Sequence, residues 1–233
     1  FNTQPGMDTG YSFDLAPIVT LPKKVSYYGA NYSDRKDVLL HEAVRYACTG
    51  SSLDFSAYDN DQDGTVDNVF IITAGLSEAD GAGEDWIWPQ YGRLKDHGGV
   101  LDAKGKKIDS FCVCTELASG QDISPRPAGI GIFCHEFCHY LGLADLYDTD
   151  GEGSGGTAEG LWSTGIMDNG CKGDEVPGFC AVDLEILGTG KSMPLTKGNH
   201  TLQPLSRSGK YFKAEGDDPD EFFLFECKEG LGL

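Results

Sequence analysis

The sequence predicts an α+β fold, in one large domain or in two lobes sharing a cleft, and three observations predict the class. Apolar residues at helical spacing in "DRKDVLLHEAVRYACTG" mark a helix. Two apolar, β-branched stretches, "NVFIITAG" and "KKIDSFCVCTEL", mark strands, and a second helix follows them. From Ala144 to Gly178 the chain is rich in Gly and Asp and reads as irregular apart from short turns, unlike the helix and strand stretches before it.

The opening, through "VTLPKKVSYYGANYSD", mixes Pro, Gly and Asn with aromatics and reads as loop and short strand. In the first helix Val38, Leu39, Ala43, Val44 and Ala47 lie near one face, between an Asp start and a Gly stop. His41 and Glu42 within it form only H-E-A-V-R and read as a partly exposed polar pair. "NVFIITAG" reads as a central strand, because a strand covered on both faces needs no polar alternation. "DGEGSGGTAEG" reads as a mobile surface loop rather than a linker. A last helix around "GFCAVDLEILG" and strands at "HTLQPL" and "EFFLFECK" close the chain.

Composition narrows the function. The 37 acidic residues against 18 basic ones leave a formal charge of −19, which argues against nucleic acid or an anionic membrane as partner and suits a secreted protein able to bind cations. No apolar run approaches the roughly 18 residues that span a bilayer, so membrane insertion is not expected. Phe1 opens no charged-then-apolar leader, and the chain is expected to be mature or excised. Eight cysteines are many for a cytosolic protein; their even number permits full pairing and favours an oxidising compartment, with buried free thiols the alternative. No C-x-x-C pair is present to suggest a zinc ribbon.

The stretch "CHEFCHYLGLADLYD", residues 134–148, concentrates the chemistry, since two of the chain's five histidines fall in it. Residues four apart on a helix are separated by about 40° around its axis, so His135 and His139 project from one face and can hold one metal ion. Glu136 falls on the neighbouring flank, where a carboxylate can take a proton from metal-activated water and pass it to a leaving amine. Catalytic zinc usually takes three protein ligands. One candidate for the third is Asp145, reached after Gly142, which can take the positive φ that ends the helix and turns the chain back. The other is Glu159, twenty residues past His139 but set among glycines that disfavour a helix; Asp145 is preferred on that ground.

A second cation site is suggested by "DNDQDGTVD". Asp59, Asp61, Asp63 and Asp67 supply hard oxygens, with Thr65 counted as a further calcium ligand and Gly64 at the sixth position, where the loop turns sharply. The twelfth position is Phe70, so the closing glutamate of an EF-hand is missing and Asp67 would have to complete a shortened shell. Calcium there would be structural; a solvated acidic turn is the plainer alternative.

The string from His135 to Asp145 resembles the extended metzincin signature with aspartate in place of the third histidine, and "LWSTGIMDNG" looks like its Met-turn, with Met167 the turn methionine. More narrowly, "HEFCHYLGLADLYD", "YDNDQDGTVDNVFIITAG" and "WSTGIMDNG" are similar to the immune-inhibitor-A family of bacterial secreted metalloproteases, over roughly residues 25 to 190. The resemblance implies a zincin-like architecture in two lobes, residues 1–142 and 143–233: a twisted mixed sheet with a backing helix and an active-site helix, above a smaller irregular C-terminal lobe with the third ligand, Met-turn and last helix, and the active site in the cleft between. It implies a secreted or cell-surface bacterial zinc endopeptidase acting on protein or peptide substrates, with His135, His139 and Asp145 on zinc and Glu136 as general base. Two departures stand out. Cysteines at 134 and 138 flank the histidines, and Met167 is followed by Asp168 rather than by a tyrosine, so the group that stabilises the oxyanion is unassigned. The rival reading is a catalytically silent zincin-fold binding or adhesion domain; retention of Glu136 argues against it. The sequence does not specify an oligomeric state.

Overall fold

The computed structural model describes residues 13–29, 36–118, 124–158, 160–172, 176–218 and 221–229. These form two compact units, one ending at Tyr140 and the other starting at Leu141. The architecture is mixed α and β, with small sheets and few helices.

The first unit contains helices α1 (Val25–Gly29), α2 (Lys36–Gly50) and α3 (Ile130–Tyr140). Its strands are β1 (Val69–Thr73), β2 (Gln90–Arg93), β3 (Leu101–Ala103), β4 (Lys106–Ile108), β5 (Ser110–Thr115), β6 (Leu117–Ala118) and β7 (Arg126–Pro127). The main sheet has the order β1-β5-β2, with β1 parallel and β2 antiparallel to β5. All six residues of β5 are buried. Alternation sends Phe111 and Val113 into a core with Leu40, Ala43, Val44 and Cys48 of α2 and Tyr28 of α1. On the other face lies α3: Cys112 donates its thiol hydrogen to the Glu136 carbonyl oxygen at 3.3 Å, and Phe70 of β1 stacks on Phe133 with ring centroids 4.1 Å apart. A strand covered on both faces must be apolar throughout, which is why "SFCVCT" lacks polar alternation.

Several expectations are corrected. The central strand is β5; β1, expected there, lies at the edge of the sheet, with Ile72 58% exposed. "KKIDSFCVCTEL" breaks at Asp109, whose buried carboxylate accepts the Lys95 N–H and the Arg93 guanidinium, so β4 and β5 belong to different sheets. "VSYYG" forms helix α1 instead of strand, because the Tyr28 ring is buried against the core. His41 is buried rather than partly exposed: its Nε2 lies 2.9 Å from the Arg93 carbonyl, and its ring packs edge-on against Phe111.

The second unit contains α4 (Ala181–Ile186), α5 (Leu205–Ser208) and strands β8 (Lys191–Pro194), β9 (Lys210–Glu215) and β10 (Phe222–Phe225). The sheet order is β10-β9-β8. Asp183 starts α4 by accepting the Cys180 N–H at 2.8 Å. Tyr211 of β9 is 1% exposed and bonds through its hydroxyl to Glu185, which also pairs with Lys213 at 2.9 Å. "HTLQPL" is not a strand; it runs as coil into α5, which Pro204 precedes without a side-chain cap, and the Leu205 N–H is taken by the Cys227 carbonyl at 2.7 Å. Among the described residues no disulfide is formed, and seven of the eight cysteines are buried, where they pack as small apolar side chains. Among the described residues no helix is long and apolar enough to cross a membrane.

Candidate metal centre

Helix α3 starts after "PRPAG", where proline and glycine oppose an earlier start, and ends at Tyr140. Two residues on, Gly142 has φ 98°, a left-handed conformation that side-chain-bearing residues avoid, and the chain turns there. Helix α3 is buried from Cys134 to Cys138, which carries His135 and Glu136 down to 5% and 6% exposure. Polar groups so buried are retained at a cost unless they are engaged by chemistry or by partners.

Within the stretch 135–145, one ligand atom each of His135, His139 and Asp145 lies within 4.8 Å of the others. The two imidazoles sit 4.8 Å apart at 85°, as expected of side chains one turn apart. Tyr91 of β2 places its ring 6.4 Å from that of His139, a neighbour the sequence did not suggest because it comes from a separate strand. Glu136 shares this turn, and its backbone is held from beneath by Cys112. No cysteine joins this group among the described residues, and burial pushes the Cys112 thiol up to about 12 and raises those of Cys114 and Cys134 as well, which keeps them protonated in the metal-free chain. Glu159 lies outside the described residues.

Met167 is fully buried, and its carbonyl accepts the N–H of Leu146 at 2.8 Å, joining the turn to the residue that follows Asp145. The adjacent Asp168, which sequence reading passed over, is 1% exposed and accepts backbone N–H groups through both carboxylate oxygens. The available signal was an Asp between Met and Asn-Gly, a composition suited to capping turn amides.

In the acidic loop, carboxylate oxygens of Asp59, Asp61 and Asp63 lie within 4.8 Å of one another. The loop is folded by local bonds: Gly64 N–H to Asp59 Oδ2 at 3.1 Å, Asp63 N–H to Asp61 Oδ1 at 3.2 Å, and Thr65 N–H to Asp63 Oδ1 at 2.7 Å. Gly64 makes the sharp turn with φ 89°. Lys106 forms an ion pair with Asp59 Oδ2 and holds that carboxyl below the usual carboxylate range. Asp59 Oδ1 is buried without a hydrogen-bond partner. Asp67 stands apart from the three-residue group, its Oδ2 accepting from the Asn60 side chain.

The family described as immune inhibitor A peptidase M6, catalytic domain, matches residues 7–188. Immune inhibitor A of Bacillus thuringiensis subsp. alesti is 28% identical over 184 residues, which cover 69% of this chain and 26% of that protein. Pre-pro-metalloprotease PrtV of Vibrio cholerae serotype O1 is 25% identical over 199 residues, covering 76% of this chain and 21% of that protein. The chain thus spans about a quarter of the length of these curated relatives. With more than half of its residues inside the match, and with the two histidines and glutamate of H-E-x-x-H within that match, the chain belongs to the immune inhibitor A family of M6 peptidases.

Proposed function

We propose that this chain is a zinc-dependent endopeptidase domain of zincin type, with His135, His139 and Asp145 holding the metal and Glu136 as general base. The observation that carries the reading is the close group of His135, His139 and Asp145 on a segment that also bears Glu136. The donor set fits zinc: two imidazole nitrogens and one carboxylate oxygen are borderline-to-hard ligands, and three protein donors leave a coordination position open. Bound zinc supplies Lewis acidity that polarises a peptide carbonyl and makes water more acidic. The protein does the rest. Glu136, buried beside His135, accepts the proton of the attacking water and delivers it to the departing amine nitrogen, so that one carboxyl group serves as base and then as acid. Protein or peptide substrates follow from this reading. Strand β2 lies at the edge of its sheet order and carries Tyr91 close to His139, which suits an extended peptide added alongside it. Export from the cell is supported by the acidic balance and by the bacterial relatives; the cysteines, which form no disulfide among the described residues, add nothing to it.

A structural calcium ion is proposed for Asp59, Asp61 and Asp63, with Thr65 and Asp67 as candidates for the remaining ligands. The buried Asp59 Oδ1 without a hydrogen-bond partner is the supporting observation, since such an atom is costly unless something engages it.

The test is Glu136→Gln in the zinc-loaded protein, assayed on a denatured protein substrate. Hydrolysis is expected to fall by at least ~10²–10⁴-fold, the usual contribution of positioned proton transfer, with zinc content unchanged. Wild-type turnover in the metal-replete variant would end the mechanism. A wild-type chain that binds zinc tightly and cleaves nothing would favour the silent binding domain.

A further inference from the structure

Met167 and Asp145 are joined through backbone, and the join is held by a residue with no place in the mechanism above. Asp168 is 1% exposed, and its two oxygens collect four donors: Leu161 N–H at 2.5 Å and Trp162 N–H at 2.6 Å on Oδ2, Asn169 N–H at 2.5 Å and Asn169 Nδ2 at 3.0 Å on Oδ1. These bonds fold the loop 160–169 around one carboxylate. Trp162 takes φ 55°, a left-handed conformation unusual for a bulky residue, and its side chain cannot account for that, being on a residue 61% exposed. Its backbone is held by Asp168 instead.

The loop in turn grips Leu146 from two sides. Met167 O accepts the Leu146 N–H at 2.8 Å. At Gly160, φ 67°, a Cβ would stand 2.6 Å from both Asp168 Oδ2 and the Leu146 carbonyl oxygen, so the Gly160 backbone lies directly against both. Leu146 is bonded to Asp145, the third member of the metal-holding group.

We propose that Asp168 is a positioning residue for the metal centre: by holding the 160–169 loop in its strained form it fixes Met167 O and Gly160 against Leu146, and so sets where the Asp145 carboxylate stands. This rests on the reading of Asp145 as a zinc ligand. An aspartate is required because both of its oxygens accept. An asparagine of the same shape presents an NH₂ to one pair of N–H donors, whichever way it turns.

The experiment is competition for zinc against a chromophoric chelator, below the melting temperature, on wild type and four variants. Asp145→Ala tests the underlying reading: zinc affinity equal to wild type there would overturn the ligand assignment, whatever the other variants do. Given an Asp145-dependent affinity, Asp168→Asn is expected to weaken zinc binding by ~10–100-fold, the usual consequence of losing a residue that orients a ligand. Asp183→Asn is the control for general loss of stability. Asp183 is equally buried and also caps backbone, but at α4, and its replacement should alter the melting temperature while leaving zinc affinity within twofold. Trp162→Gly in the Asp168→Asn background should recover most of the lost affinity, because glycine takes a positive φ without being held there. It also keeps the question answerable if Asp168→Asn alone folds poorly. Wild-type zinc affinity in Asp168→Asn, an equal loss in Asp183→Asn, or no recovery in the double variant would each overturn the proposal.

Discussion

The Cys112 thiol donates to the carbonyl oxygen of Glu136 across 3.3 Å, tying the middle of the central strand to the helical turn that carries the proposed base. Asn68 Nδ2 donates to the same sulfur at 3.2 Å, so the atom is engaged from both sides in a fully buried position. Cys112→Ala removes these contacts and leaves a small cavity, and is expected to destabilise the chain by about 1–3 kcal/mol. Urea unfolding checks this; a midpoint equal to wild type would mean that the contact contributes nothing measurable.

For the third ligand, metal analysis after dialysis separates the two carboxylates considered from the sequence. Asp145→Ala should lose zinc by more than the ~10–100-fold typical of an outer-layer partner. Glu159→Ala should hold zinc as wild type does. The reverse result would move the ligand to Glu159.

Calcium should stabilise the chain without entering its chemistry. An ion at a hundred times its Kd contributes about 2.7 kcal/mol to the folded state, which for a chain of this size is a rise in Tm on the order of 5–10 °C. Asp61→Ala and Asp63→Ala should abolish the rise, and Glu136→Gln should keep it. Thermal melts with and without millimolar calcium decide the matter, and an unchanged wild-type Tm would leave the loop a solvated turn.

Asp148 organises the segment after the metal centre. Its carboxylate accepts the N–H groups of Ala158 at 2.9 Å, Gly151 at 2.7 Å and Asp150 at 3.1 Å, and these bonds, that from Ala158 foremost, hold it below the usual carboxylate range. The folded chain therefore releases this proton more readily than the unfolded one. Its stabilising effect is complete above the ordinary aspartate range and is lost as pH falls through the depressed value. An NMR titration should find the Asp148 carboxyl midpoint below that of a free aspartate, and Asp148→Asn should flatten the acid limb of the stability curve. A midpoint at or above the ordinary value would contradict this.

What could be read from the sequence was the part whose information is local. The ligand helix and its end follow from spacing and from one glycine: His135 and His139 are a turn apart, and Gly142 takes φ 98°. The loop at Asp59–Asp63 is likewise written in consecutive residues. What escaped depends on partners far along the chain. "NVFIITAG" and "SFCVCT" are equally apolar, and only the pairing decides which lies in the middle. The helix at "VSYYG" depends on where the Tyr28 ring is buried, and the burial of His41 on a carbonyl 52 residues away. For Asp168 the local Met-Asp-Asn-Gly composition suggests a turn cap, but which amides it holds, those of Leu161 and Trp162, is set only by the fold.

The parallel pairing of Val69 with Phe111 has a consequence in time. Two parallel neighbours cannot be joined by a hairpin, so this contact waits for every residue between 69 and 111, and such distant closures slow folding. The helix bearing His135 and His139 comes later in the chain and packs on β5, with Phe133 stacked on Phe70 of β1, so its full resting place includes both strands of that slow pairing. Maturation of the site is therefore expected to follow sheet assembly. A variant that weakens β1 against β5 should retard the appearance of zinc-binding capacity during refolding, even where the final affinity is unaltered.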